Sequence, residues 1–344
     1  DLRIIYKNFP RSEWVRVPCT PGSPSNFYHA MPQQYDDDDM TTAVLVLFLA
    51  GIFAVFYYFW HQRNNAVPVA EAVPLAVPIP TKQQLRRTSA KTFTSIRDNY
   101  SNVHQVQQAL RKAGLESSDL IVGIDFTKSN TWQGKKTFGG KCLHALDKEI
   151  KNPYEKVIYA MGQCLEEFDD DHIIPAFGFG DSVTRDKGIF SINSGGGACH
   201  GFEQVLSAYA AKAKEVTLSG PTNFAPLISA ATRIAQKSKS FHILLIVADG
   251  QVTSKRHTIE SIVAASEEAP LSIIMVGVGD GGWECMEEFD DELPERKFDN
   301  FQFVNFTKSY TGNSENERIA NFCRDCLMEV PEQYQIIRKL GLLD

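Results

Sequence analysis

The sequence predicts an α/β fold, doubly wound, with a mostly parallel sheet covered by helices and preceded by a single transmembrane helix. Three observations predict it. Short runs rich in β-branched and aromatic residues alternate with helical patterns from about residue 91 onward. These runs are apolar on both faces, as strands buried between two helical layers must be. An aspartate stands at the C-terminal end of two of them, where open α/β sheets place their ligands.

In chain order, strands are predicted at 120–125, 173–179, 241–248, 271–278 and 301–306. Helical patterns fall between and after them, at 143–168, 201–213, 224–236, 257–268 and 315–329. Residues 183–192 read as an additional hairpin or edge segment. The strand–helix rhythm is what specifies double winding, and no internal repeat interrupts it.

Ahead of this region the pattern is not globular. Residues 1–40 form a polar arm, a short ectodomain or a disordered segment, with Pro10, Pro18, Pro21, Pro24 and Pro32 and no sustained period. Residues 41–60 (TTAVLVLFLAGIFAVFYYFW) carry no charge and are long enough for the ~30 Å hydrocarbon core of a bilayer. Tyr57, Tyr58 and Trp60 fit an interfacial aromatic belt. The length, the forty preceding residues and the flanking Asp36, Asp37, Asp38 and Asp39 favour a true span over a signal peptide or a buried helix. Arg63, Lys82, Arg86, Arg87 and Lys91 follow the span, which predicts a single-pass protein with its C-terminal bulk in the cytosol. Sequons at Asn99 and Asn305 would be glycosylated only on the lumenal side, and such triplets are common by chance. Residues 61–92 form a linker whose 66–80 stretch (AVPVAEAVPLAVPIP) is extended and proline-rich. The globular domain is expected at 93–340. The chain begins with Asp rather than Met, which suggests processing or a fragment.

Composition narrows the function. Apolar residues make up 43% of the 344, enough for a sizeable core, and a net charge of −7 leaves no electrostatic footprint for nucleic acid. Seven scattered cysteines argue against a disulfide framework, and Cys323-Arg-Asp-Cys326 reads as two residues of one helix. Gly277-Val-Gly-Asp-Gly-Gly282 matches a dinucleotide fingerprint literally. It follows a strand and precedes a helical stretch, but it falls on the penultimate strand rather than the first βα unit and the acidic 284–292 stretch follows it, so it reads as a tight turn. Gly134-Lys-Lys-Thr-Phe-Gly-Gly-Lys141 misses phosphate-loop spacing by one, and Cys142 stands where a Ser or Thr would hold Mg²⁺. No G-x-S-x-G occurs, Asp125-Phe-Thr127 lacks the second aspartate of an aspartyl phosphatase, and the eight histidines are dispersed. No small-molecule substrate is evident.

One set of side chains survives this sifting: Asp125, Thr127, Ser129, Thr222 and Asp249. Two carboxylates and three hydroxyls are hard oxygen donors, suited to Mg²⁺ or Mn²⁺ rather than zinc. Taken singly, each is the kind of residue that caps a helix or a turn. Asp181, near the same rim, is a candidate hydrogen-bonding neighbour.

Several stretches carry a family likeness: Gly114-Leu-Glu-Ser-Ser-Asp-Leu-Ile-Val-Gly-Ile-Asp-Phe-Thr-Lys-Ser-Asn130, Asn152-Pro-Tyr-Glu-Lys156, Phe177-Gly-Phe-Gly-Asp181, Leu218-Ser-Gly-Pro-Thr222, Ala248-Asp-Gly-Gln-Val-Thr253, Pro270-Leu-Ser-Ile-Ile-Met-Val-Gly-Val-Gly-Asp280 and Phe298-Asp-Asn-Phe-Gln-Phe-Val-Asn-Phe306. Through them, residues 98–340 resemble the copine-type von Willebrand factor A domain, and look nearest to its version in the plant RING-domain ligases. The resemblance implies a metal-ion-dependent adhesion site, D-x-S-x-S plus a distant Thr and Asp, which matches Asp125, Thr127, Ser129, Thr222 and Asp249. Thr127 departs from the pattern by replacing the first Ser. Neither a RING nor C2 domains can be read in this chain, so ligase activity and Ca²⁺-triggered lipid binding rest on resemblance alone. The expected function is a membrane-tethered adhesion or scaffold module that binds an acidic residue of a protein partner through Mg²⁺. The alternatives are a component of a ubiquitin-ligase pathway and a metal-independent structural scaffold.

Overall fold

The computed structural model describes residues 100–343, apart from Gln251 and Glu292. Its strands are β1 (Asp119–Asp125), β2 (Ile173–Ile174), β3 (Ala176–Phe179), β4 (Phe190–Ser191), β5 (Cys199–His200), β6 (His242–Ala248), β7 (Leu271–Gly277) and β8 (Phe301–Asn305). The α-helices are α1 (Val103–Lys112), α2 (Pro153–Leu165), α3 (Gly201–Glu215), α4 (Ala225–Ser238), α5 (Lys255–Glu268), α6 (Glu284–Asp291), α7 (Phe306–Ser309), α8 (Glu315–Leu327) and α9 (Val330–Lys339). Six strands form one sheet in the order β4-β3-β1-β6-β7-β8, and β2 and β5 form a small antiparallel ribbon. Within the large sheet only the β3–β4 pair is antiparallel.

The period-two alternation of each strand divides its side chains between two cores. On one face Leu120, Val122 and Ile124 of β1 join Ile243, Leu245 and Val247 of β6, packed beneath α1, α2, α3 and α8. On the other face Ile121, Leu244, Ile246, Ile273 and Met275 pack against α4, α5 and α6. Gly123 lets α4 approach closely, because a Cβ there would come within 2.2 Å of Leu227 Cδ2. Burial on both sides explains why β1, β6 and β7 read as unbroken apolar runs.

Strand order sets up the site. β1 leads to α2 on one face, whereas its neighbour β6 leads to α5 on the opposite face. The two connections part company between β1 and β6, which opens a crevice at their C-terminal ends. Ile124 pairs with Val247 in register, so Asp125 and Asp249 reach that crevice side by side.

Several expectations are corrected. The helix expected from 143 starts only at Pro153, where Asn152 and Glu155 close a capping box. The stretch before it instead crosses the end of β1, with the Leu143 amide donating to the Asn130 carbonyl at 2.9 Å. The strand expected at 173–179 divides around Pro175, which has no amide to give a ladder. Helices α1, α7 and α9 went unpredicted; α1 is so polar that only Val106 and Leu110 are fully buried. The edge segment near 183–192 yields the short antiparallel β4. Cys323 and Cys326 are buried thiols of α8, as expected. Asn305 spends its side chain capping α7, accepting from the Lys308 amide at 3.2 Å.

The single transmembrane helix and the single-pass membrane placement are not sustained: among the described residues no helix is long and apolar enough to cross a membrane. The physical reason is length. The longest, α3, has 15 residues, a rise of about 22 Å against a core of ~30 Å. Residues 41–60, where the span was expected, lie outside the described residues, as do the polar arm, the linker and Asn99.

Candidate metal centre

Four of the five predicted side chains meet at the crest of the sheet. Asp125 is fully buried at the end of β1, and its Oδ1 accepts the Thr127 amide at 2.8 Å. The Ser129 hydroxyl donates to Asp249 Oδ1 at 2.9 Å, and Thr127 Oγ1 lies 2.9 Å from Ser129 Oγ. Ser129 has committed its single proton to Asp249, so Thr127 must be the donor of that pair. A hydroxyl chain thus runs from Thr127 to Asp249. One oxygen of each carboxylate, Asp125 Oδ2 and Asp249 Oδ2, is buried without any hydrogen-bond partner.

Thr222 arrives by backbone rather than by side chain. The Lys128 amide donates to the Ser219 carbonyl, and the Thr253 amide donates to the Thr222 carbonyl at 2.9 Å. The Ser219–Thr222 segment is therefore stitched between the turn after β1 and the loop after β6. The Thr222 side chain is buried and joins none of the hydrogen bonds of the set. Asp181 is engaged by its own turn rather than by the set: its carboxylate accepts the Thr184 amide at 2.8 Å and the Thr184 hydroxyl.

Electrostatics marks the pair as unfinished. Burial pushes Asp125 above the ordinary carboxylate range, opposed by its hydrogen bonds with Thr127. Asp249 is raised as well, by burial first and then by the negative charge of Asp125. Two adjacent carboxylates with orphaned oxygens need either a shared proton or a cation between them. The donor set of carboxylates and hydroxyls suits a hard divalent ion. These residues fit such a group.

Beneath the pair lies a layer that sequence reasoning missed. His144 Nε2 stands 2.9 Å from the Asp125 carbonyl oxygen, and its Nδ1 lies 2.9 Å from the Tyr209 hydroxyl. A carbonyl can only accept, so Nε2 carries the proton and Nδ1 accepts from Tyr209. The imidazole stacks between Phe126, 4.8 Å away, and Tyr154, 4.2 Å away. Burial lowers its pKa to about 4, which keeps it neutral. Asn130 ties the layer to the turn, donating to the Thr127 carbonyl at 3.1 Å and accepting from the Tyr154 hydroxyl at 2.7 Å. The sequence signal available was Asn130 immediately after the oxygen motif; nothing local pointed to His144.

The two glycine motifs behave as turns. Gly279, Gly281 and Gly282 all have positive φ, and the Asp280 carboxylate accepts the amides of Lys136 and Thr137. That contact pins the 134–141 loop beside the crest rather than forming a phosphate cradle.

The family model described as Copine matches residues 142–344. The E3 ubiquitin-protein ligase RGLG4 of Arabidopsis thaliana is 53% identical over 267 residues, covering 74% of this chain and 66% of that protein. Copine family protein 2 of Caenorhabditis elegans is 45% identical over 280 residues, covering 76% of this chain and 4% of its own length. The chain thus spans less than two thirds of either relative. Among solved structures, a von Willebrand factor type A protein from Catenulispora acidiphila overlaps at a TM-score of 0.38 and 13% identity, covering 64% of this chain and 43% of that one, a likeness too slight to carry weight. With a family match over more than half of its residues, the chain belongs to the copine family.

Proposed function

We propose that this domain is a protein-binding module that engages an acidic side chain of its partner through a divalent cation, Mg²⁺ or Mn²⁺, at the crest of the sheet. Asp125, Thr127, Ser129, Thr222 and Asp249 would hold the ion, directly or through water. The observation that carries the reading is the pair of buried carboxylates, Asp125 and Asp249, each with one orphaned oxygen. Three neutral hydroxyls and two acids leave a bound divalent ion incompletely shielded, and such an ion supplies an electrophilic position for a carboxylate from outside. The chain's own part is to hold these oxygens still. His144, Asn130 and Tyr154 fix the turn from below, and the Ser219–Thr222 segment fixes it from the side.

A protein partner is favoured by two apolar residues near the rim. Trp132 is 49% exposed just after the Ser129 turn, and Val183 is 83% exposed just after Asp181. Exposed apolar side chains beside a polar site are typical of docking surfaces.

Adding Mg²⁺ or Mn²⁺ to the full chain should raise its melting temperature by several degrees, and Asp125→Ala should abolish the rise. An unchanged melting curve in the unaltered protein would favour the metal-independent scaffold. Partner capture should fall when the ion is chelated.

A second reading is favoured by the 53% identity to a protein named as an E3 ubiquitin-protein ligase. Under it, the domain recruits substrates for ubiquitin transfer in a pathway shared with those relatives. Ubiquitination of a captured partner, in the presence of E1 and E2 enzymes, and its loss in Asp125→Ala would support that role.

A further inference from the structure

A second group of acids sits at the opposite end of the sheet. Asp119 opens β1, and Asp169 and Asp171 lie in the turn before β2. One carboxylate oxygen from each lies within 4.8 Å of the others. Clustered surface acids are commonplace, and two further observations set this group apart. Asp169 is only 2% exposed, yet neither of its carboxylate oxygens has a hydrogen-bond partner. An orphaned buried carboxylate is costly unless positive charge reaches it. Nearby, the buried His242 has Nδ1 2.9 Å from the Ser240 carbonyl oxygen, so that nitrogen bears a proton. Its Nε2 faces the Asp119 carboxylate at 3.7 Å, too far for a hydrogen bond. Burial, and then the charge of Asp171, raise the Asp169 pKa to about 6, with His172 opposing the rise.

We propose that Asp119, Asp169 and Asp171 form a second divalent-cation site, of Ca²⁺ type, at the end of the sheet remote from the crest. Ligand choice follows from size and chemistry. Oxygens on opposite sides of Ca²⁺, at 2.3–2.6 Å each, stand about 5 Å apart, whereas Mg²⁺ draws them to about 4 Å. Three carboxylate oxygens already within 4.8 Å of one another need only a modest approach to close on one ion, and Ca²⁺, with its longer bonds and looser geometry, asks for less of it than Mg²⁺. Asp171 is exposed and Asp119 partly so, which leaves an entry path and room for completing waters. The site is independent of the crest, since Asp119 and Asp125 lie at opposite ends of β1, about 20 Å apart along the strand. Its bound ion would fasten the turn before β2 to the start of β1.

Counting bound Ca²⁺ by equilibrium dialysis on the full chain tests this. In Asp125→Ala, with the crest disabled, one Ca²⁺ per chain should remain and should raise the melting temperature. Adding Asp171→Asn should weaken that binding at least ~10-fold and remove the thermal shift, because ligand charge tunes affinity at such sites. Asp171 is exposed, so its replacement leaves the packing intact. If Asp125→Ala folds poorly, the same comparison between the unaltered chain and Asp171→Asn should show one equivalent lost. The proposal is overturned if Ca²⁺ binding is indifferent to Asp171→Asn. It is equally overturned if Asp171→Asn stabilises the chain alike with and without Ca²⁺, since the acids would then be merely repelling one another. Loss of Mg²⁺ binding at the crest with retention of this Ca²⁺ would count against the crest alone.

Discussion

His144 holds the crest from beneath, and its protonation state sets an acid limit on the fold. An ordinary histidine titrates near 6.5, but burial lowers this one to about 4. Between those values the unfolded chain takes up a proton that the folded chain refuses. The stability from the neutral imidazole is therefore complete above pH 6.5 and is lost as pH falls through 4, by about 3 kcal/mol in all. His144→Gln should be less stable at pH 7 yet flatter across that window in urea titrations; an unchanged pH slope would contradict the assignment. Gly180 gives a second prediction. Its φ is +80°, and a Cβ there would stand 2.4 Å from the Thr127 methyl. Gly180→Ala should cost about 1–3 kcal/mol, and Thr127→Ser in the same background should restore the steric part but not the backbone strain. The oxygen motif was legible because Asp125, Thr127 and Ser129 are close neighbours in sequence at a strand end. His144, Tyr154 and Tyr209 were not, because only tertiary folding brings them together beneath it.

At the scale of elements, α2 shows how local chemistry sets a boundary. The Asn152 Oδ1 accepts the Glu155 amide at 2.9 Å, and a Glu155 oxygen accepts the Asn152 amide at 2.8 Å. Asn152 Nδ2 also reaches the Tyr209 hydroxyl, at 3.1 Å, and so links the helix start to the His144 layer. Asn152→Ala should lose about 1–2 kcal/mol, read as a lower denaturation midpoint, and should weaken metal binding by loosening that layer. Asn152→Asp, which keeps the cap but not the amide donor, should recover only part of the stability. Periodicity found β1, β6, β7 and β8 to within a residue or so, because each is a buried run with sharp polar ends. It overran α2, since Leu143, His144 and Leu146 mimic a helical stripe while serving as a plug under β1. It also missed α9, opened by Val330-Pro331, where a proline reads as a stop but here sits in the first turn.

At the scale of the whole described region, one six-stranded sheet separates two cores and carries clustered carboxylates at both of its ends. At the crest, the chain leaves β1 and β6 toward opposite faces, and the crevice between them receives Asp125 and Asp249. Double winding and the place of the crest were legible in the sequence because strand ends and oxygen side chains coincide. The acids at the far end escaped notice because Asp119 precedes Asp169 and Asp171 by some fifty residues and no motif joins them. The central claim, that Asp125 and Asp249 share a divalent ion, is tested most directly by anomalous diffraction from crystals of the protein grown with Mn²⁺. The account predicts an anomalous peak within bonding distance of both carboxylates, with the Ser129 hydroxyl beside it. Carboxylates joined only by a shared proton, with no peak between them at saturating Mn²⁺, would contradict it.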